Sequence, residues 1–317
     1  MRKILIDTDT GSDDAVALMM ALLSPETEVV GVTTVCGNVP VALATQNALM
    51  TLEVCGSQLE VYAGASRPLF RDLVTAVKVH GEDGMGDCGL IHPSCGPSAM
   101  PASDFILESA RKNPGELDIV MLGPATNIAS AILRDRETMS QVRHIYTMGT
   151  SGFGPGNTTP VAEFNVYVDA ESYRILLESG IPITIIGFDM CIGDAAWNRE
   201  DLERISAASA AGRFAVDCNA QLLQYNLQRS GRYIVDLPDA VAMGAALWPD
   251  MVKEKREVFA YCCTADPHCY GQVILYDPAD VLAVSNPIPP CNAEVVSAID
   301  TALYKSRLKT LLSEAGR

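Results

Sequence analysis

Four aspartates fall within eight residues near the start of the chain, in Asp7-Thr8-Asp9-Thr10-Gly11-Ser12-Asp13-Asp14. They follow a short apolar run, Lys3–Asp7. They precede Asp13–Leu23, where Ala15, Leu18, Met19 and Leu22 recur at helical spacing. Asp13 and Asp14 can favour the positive end of that helix, worth about 0.3–1 kcal/mol each. That is too little to offset four clustered charges. A hard divalent cation would do it, since Ca²⁺ and Mg²⁺ prefer such oxygen ligands. A plain Asp-rich helix cap needs only one or two of these residues.

The elements that must position this cluster alternate. Strands are expected at Lys3–Asp7, Glu28–Val35, Leu59–Ala63, Leu117–Leu122, Ile145–Met148 and Ile181–Phe188. Helices are expected at Asp13–Leu23, Val41–Val54, Ala125–Leu133 and Ala170–Ser179. Such alternation predicts an α/β fold with a doubly wound, mostly parallel sheet flanked by helices. Ligands bind beyond the carboxyl ends of such strands, where the aspartates lie. Two long stretches break the rhythm, Ser66–Pro101 and Gly149–Glu163, and loops of this length usually carry function. After Asp194 the chain reads as largely helical: Arg199–Ala210, Arg213–Gln228, Asp239–Leu247 and, after a β segment (Glu257–Cys263, Gln272–Tyr276), Ala293–Leu312. We read residues 1–317 as a single domain with a helical C-terminal portion.

Composition narrows the partners. Lys plus Arg is 23 against 39 Asp plus Glu, a net charge of −16. That balance disfavours nucleic-acid polymers and anionic membranes and suits a small neutral ligand or a bound cation. No apolar run is long enough to cross a bilayer, and Asp7 interrupts the place where a signal peptide needs its apolar stretch, so a cytoplasmic protein is expected. Ten cysteines read as reduced thiols. Cys262, Cys263, His268 and Cys269 lack the spacing of a zinc site and read as thiols in a strand and the loop after it.

Five further segments follow the opening in order: Val35-Cys36-Gly37-Asn38, His80-Gly81-Glu82-Asp83-Gly84, Leu122-Gly123-Pro124-Ala125-Thr126-Asn127, the loop carrying Met148-Gly149, Gly156-Asn157 and Glu163-Phe164-Asn165, and Leu237-Pro238-Asp239-Ala240-Val241-Ala242. Together, from residue 4 to about 245, the chain resembles the inosine-uridine-preferring nucleoside hydrolases. The resemblance implies an N-ribohydrolase of nucleoside salvage, a homodimer or homotetramer, with a tightly held Ca²⁺. Asp9, Asp14, the Thr126 carbonyl and Asp239 would hold the ion, and Asp7 would support them from behind. Asp13, Asn38, Asn157, Glu163 and Asn165 would grip the ribose hydroxyls, with the Met148 backbone nearby. Asp9 would take the proton of the Ca²⁺-bound water, and His80 matches the pocket histidine. Cleavage of an N-glycosidic bond builds an oxocarbenium-like sugar, which an acidic pocket stabilises more than the neutral ground state.

The chain departs from the pattern at one place. The family usually has His-Asp-Pro where this sequence has Pro238-Asp239-Ala240, so the histidine thought to protonate the departing base is absent. His80, Tyr225, Arg232 or Tyr233 could supply that proton, or aromatic stacking could make the base easier to protonate from water. Two other readings stand beside the hydrolase. One is a non-catalytic, Ca²⁺-dependent ribosyl-binding protein. The other starts from Ile4-Leu5-Ile6-Asp7-Thr8-Asp9-Thr10, which also matches the opening of haloacid-dehalogenase-like phosphatases, with Asp7 as nucleophile and Mg²⁺ as cofactor.

Overall fold

The computed structural model describes residues 1–280 and 289–314. Its strands are β1 (Arg2–Thr8), β2 (Thr27–Thr34), β3 (Val61–Ala63), β4 (Leu117–Met121), β5 (His144–Met148), β6 (Ile183–Ile186), β7 (Trp197–Asn198), β8 (Ile234–Val235), β9 (Val252–Cys262), β10 (Val273–Tyr276) and β11 (Ala293–Ile299). Nine of them form one sheet in the order β10-β9-β11-β6-β5-β4-β1-β2-β3, and β7 pairs with β8 separately. From β3 to β11 every pairing is parallel; β9 runs antiparallel to both β11 and β10. The fold is the expected α/β class.

Strand order reverses at β1. The chain lays β2 and β3 to one side of it, then β4, β5 and β6 to the other. This switch opens a crevice beyond the carboxyl ends of β1 and β4, the usual ligand position in open parallel sheets. Both strands are buried over the residues that approach the crevice, Ile4–Thr8 and Leu117–Met121. Their near-continuous apolar runs suit strands covered on both faces.

Helix Ser12–Leu23 is buried from Ser12 to Ala21, and helix Pro238–Leu247 is buried from Asp239 to Leu247. They pack against each other on one face of the sheet. Neither has a polar stripe, as expected for helices enclosed on all sides. Ala15, Ala17 and Ala21 on one, and Ala240, Ala242 and Gly244 on the other, keep the side chains small. Leu18, Met19 and Met20 are fully buried, each worth about 1.5–3 kcal/mol of transfer from water. The opposite face is covered by Ala102–Lys112, Thr126–Arg134 and Ala170–Leu177 around a second apolar core. Among the described residues, no helix is long and apolar enough to cross a membrane.

Three expectations need correction. Ala293–Leu312 is not one helix: Ala293–Ile299 is β11, and the helix is Thr301–Glu314. The Asp300 carboxylate accepts the Leu303 N–H at 3.0 Å and starts that helix, while Val295 and Val296 are wholly buried in the sheet. Arg213–Gln228 is likewise two helices, Ala210–Asp217 and Ala220–Ser230. They are separated where Asn219 Nδ2 donates to the carbonyls of Ala215 and Ser12. The stretch Ser66–Pro101 is not wholly irregular, since Val77–His80 forms one helical turn. Helix Ala102–Lys112, which starts after Pro101, was not anticipated. Cys262 ends β9, and Cys263 and Cys269 lie in the turn before β10.

Candidate active site

β1 delivers the aspartates to the crevice floor. Asp7, opposite Thr33 in the β1–β2 register, accepts from Thr33 Oγ1 at 2.5 Å and from Asn127 Nδ2 at 2.8 Å. Both bonds fall on Oδ1, Oδ2 is buried with no partner, and Asp7 does not line the cleft that a nucleophile would have to reach. Burial pushes it up to about 7.

Asp14 begins the buried helix. Its Oδ2 accepts the Gly11 N–H at 2.9 Å and Asn38 Nδ2 at 3.0 Å, and its Oδ1 accepts from Thr8 Oγ1. Asp9 Oδ2 accepts the Asn38 N–H at 2.6 Å, whereas its Oδ1 is buried with no partner. Asp13 Oδ1 and Asp239 Oδ1 are orphaned in the same way. One carboxylate oxygen from each of Asp13, Asp14 and Asp239 lies within 4.8 Å of the others. Among the described ion pairs, no lysine or arginine reaches these acids; His80 Nδ1, 3.8 Å from Asp13, is the basic group nearby. Burial, and then mutual repulsion, hold Asp9 and Asp239 well above the usual carboxylate range. Hard, closely set oxygens on Asp13, Asp14 and Asp239 are the kind of donors a divalent cation needs, while Asp9, expected among the ligands, stands outside this mutually close set. The residues fit such an ion. Asp13 belongs to this group as much as to the sugar grips. The Thr126 carbonyl accepts from Ser130 Oγ at 2.7 Å and also takes the backbone bond of the first turn of helix Thr126–Arg134.

Two motif glycines explain how Asp9 is seated. A Cβ on Gly37 would stand 2.0 Å from Asp9 Oδ2, and one on Gly123 would stand 2.7 Å from Oδ1. The carboxylate is thus pressed between the turns after β2 and β4. Gly37→Ala is expected to displace it and lower kcat on the order of 10²-fold, as small misplacements do, with secondary structure retained. Steady-state kinetics beside circular dichroism would check this; an unchanged kcat would mean that Asp9 is not held in place from this side.

Above the floor is a cleft of about 140 Å³. Asp13, Asn38, His80 and Met148 line it, as do Asn157, Glu163, Asn165 and Asp239. Asp9, Asp14 and Thr126 are buried and are not among the lining residues. Glu163 caps helix Phe164–Val168, its Oε1 accepting the Asn165 N–H at 3.0 Å, and burial pushes it up to about 7. Asn165 Nδ2 donates to the Leu122 carbonyl at 2.6 Å, so its Oδ1 remains to accept. His80 Nδ1 lies 2.9 Å from Ser12 Oγ, and burial pushes the imidazole down to about 4, leaving it neutral.

The remaining wall was less visible in sequence. Leu222, Tyr225, Asn226 and Arg229 face the cleft from helix Ala220–Ser230, joined by Phe188, Asp236 and Pro238. Tyr225 was a candidate; Asn226, Arg229 and Asp236 were not. The spacing 222, 225, 226, 229 is helical, and it emerges once that helix is started afresh at Ala220. Arg232 and Tyr233 do not line the cleft, and the Tyr233 ring packs beneath the Arg199 guanidinium at 3.7 Å.

Residues 4–306 match the family model for inosine-uridine preferring nucleoside hydrolases. Uridine nucleosidase 1 of Arabidopsis thaliana is 36% identical over 258 residues, covering 81% of this chain and 77% of that protein. An uncharacterized protein of Schizosaccharomyces pombe is 44% identical over 190 residues, but the match spans 61% of its length, under two thirds. A solved structure titled plant nucleoside hydrolase, the PpNRh1 enzyme, is 30% identical and superposes with a TM-score of 0.93 over 99% of both chains.

Proposed function

The chain belongs to the inosine-uridine preferring nucleoside hydrolase family, and on that premise we propose that it cleaves the N-glycosidic bond of ribonucleosides to ribose and free base. The observation that carries this reading is the buried acidic set on Asp13, Asp14 and Asp239, with Oδ1 of Asp13 and of Asp239 left unpartnered, at the floor of a cleft lined by amides and carboxylates.

Asp9, Asp14, Asp239 and the Thr126 carbonyl would hold a calcium ion, with Asp13 beside them. When bound, the ion offsets the clustered charge and fixes sugar hydroxyls and water in one place. The protein's own groups do the rest. Asn38, Asn157, Glu163, Asn165 and Asp13 hold the ribose, with Met148 packed alongside. Asp9 Oδ1 accepts the proton of the attacking water. The surrounding carboxylates stabilise positive charge as it grows on the sugar ring. Neutral His80 donates a hydrogen bond to the base. The setting is cytoplasmic nucleoside salvage by a homodimer or homotetramer.

Incubation with uridine and with inosine, read as reducing sugar, tests this. Ribose release is expected, lost with a chelator and restored by calcium. Tight retention of ribose with no turnover on either nucleoside would replace the hydrolase with the ribosyl-binding reading.

A further inference from the structure

The acidic floor and the sugar grips serve one side of the scissile bond. The base must leave on the other side, past helix Ala220–Ser230 and the segment after β8. Here the chain presents Pro238, whose side chain has no proton to give, at the first turn of its helix. Proline suits that position because its missing N–H would be unpaired there anyway. Two residues earlier stands Asp236, which also lines the cleft. Its Oδ2 accepts from Asn226 Nδ2 at 3.3 Å, and its Oδ1 is buried with no partner. An ionised carboxylate with an unpaired buried oxygen is penalised by the lost hydration of that oxygen. A neutral carboxyl escapes much of that penalty and can donate. Burial raises this group above the usual carboxylate range, against the pull of Arg232, Asn226 and Arg229.

Resting on the hydrolase reading, we propose that the Asp236 carboxyl is the acid that protonates the departing nucleobase in this chain. The C1′–N bond breaks and its electron pair passes into the base. The Asp236 proton moves to a ring nitrogen or carbonyl oxygen of that base. Water oxygen bonds to C1′ and gives its proton to Asp9. As base and ribose leave, Asp236 regains a proton from solvent and Asp9 returns one, so nucleoside plus water becomes ribose plus base. Asn226 is a positioning residue, holding the carboxyl so that Oδ1 can serve the base.

The test compares leaving groups. Wild type, Asp236→Asn and Asp236→Glu are assayed as full chains with calcium on uridine, inosine and 4-nitrophenyl riboside, whose phenolate departs without a proton. Asp236→Asn is expected to lose on the order of 10²-fold in kcat on both nucleosides. Its KM should stay within a few fold, and its nitrophenyl activity within about threefold of wild type. Asp236→Glu keeps a carboxyl and is expected to recover part of the nucleoside activity while also retaining nitrophenyl turnover. Equal losses on all three substrates in both variants, or no loss on any, overturn the assignment. Failure of wild type itself to act on any of the three would instead overturn the hydrolase reading.

Discussion

Asp9→Asn is expected to lower kcat on uridine by about 10²–10⁴, the range for removing a positioned general base. The substitution keeps the shape of the side chain and takes away its ability to accept a proton. Shape matters here because Asp9 is fully buried, clasped by the Asn38 N–H and pressed between Gly37 and Gly123. A carboxamide can keep its oxygen toward Asn38. Removing one negative charge from four that repel one another leaves the fold at least as stable, so Tm should hold or rise. Steady-state kinetics and a thermal melt on the same preparation separate the two effects. A kcat within tenfold of wild type would remove Asp9 from the role of base.

Calcium added to chelator-treated protein at neutral pH is expected to raise Tm by about 5 °C. A ligand that binds only the native state contributes about 2.7 kcal/mol at a hundredfold excess over its Kd. Each kcal/mol moves Tm by roughly 2–4 °C in domains of 150–250 residues, and by somewhat less in a longer chain. The increment arises because Asp9, Asp13, Asp14 and Asp239 are buried with no lysine or arginine paired to them among the described residues. Magnesium is expected to help less, since it demands tighter octahedral geometry and sheds its waters reluctantly. Asp239→Ala removes one of the orphaned oxygens and should abolish most of the calcium increment. Scanning calorimetry with a calcium titration reads this directly; equal melting with and without calcium would sink the ion site.

How much of this was legible in the sequence depended on distance along the chain. The floor was readable because Asp9, Asp13 and Asp14 are near neighbours, and a local excess of like charge demands an explanation. Helix Val41–Val54 has the bounds expected from the sequence. The base-side wall was not readable, since a helix taken from Arg213 to Gln228 gives no reason to restart the phase at Ala220. The tie from Asn219 to the Ser12 carbonyl, which ends the first of the two helices, is a tertiary contact. β11 failed for a related reason. Ala293-Glu294-Val295-Val296 is compatible with either element, and pairing with β6 and β9 selects the strand. Asp236 carries no motif of its own, and its place emerges only when β8 and helix Ala220–Ser230 are brought together.

The two enclosed helices that meet at the floor are far apart in the polypeptide, one beginning at Ser12 and the other at Pro238. During synthesis, the first must wait beside an unfinished core until the second has cleared the ribosome. Contacts of such long sequence separation form slowly, and the exposed apolar surface invites aggregation meanwhile. The acidic floor is therefore among the last parts of the molecule to be assembled. Any nascent fragment ending before residue 239 lacks one of the floor's carboxylates, so premature termination is expected to yield inert protein.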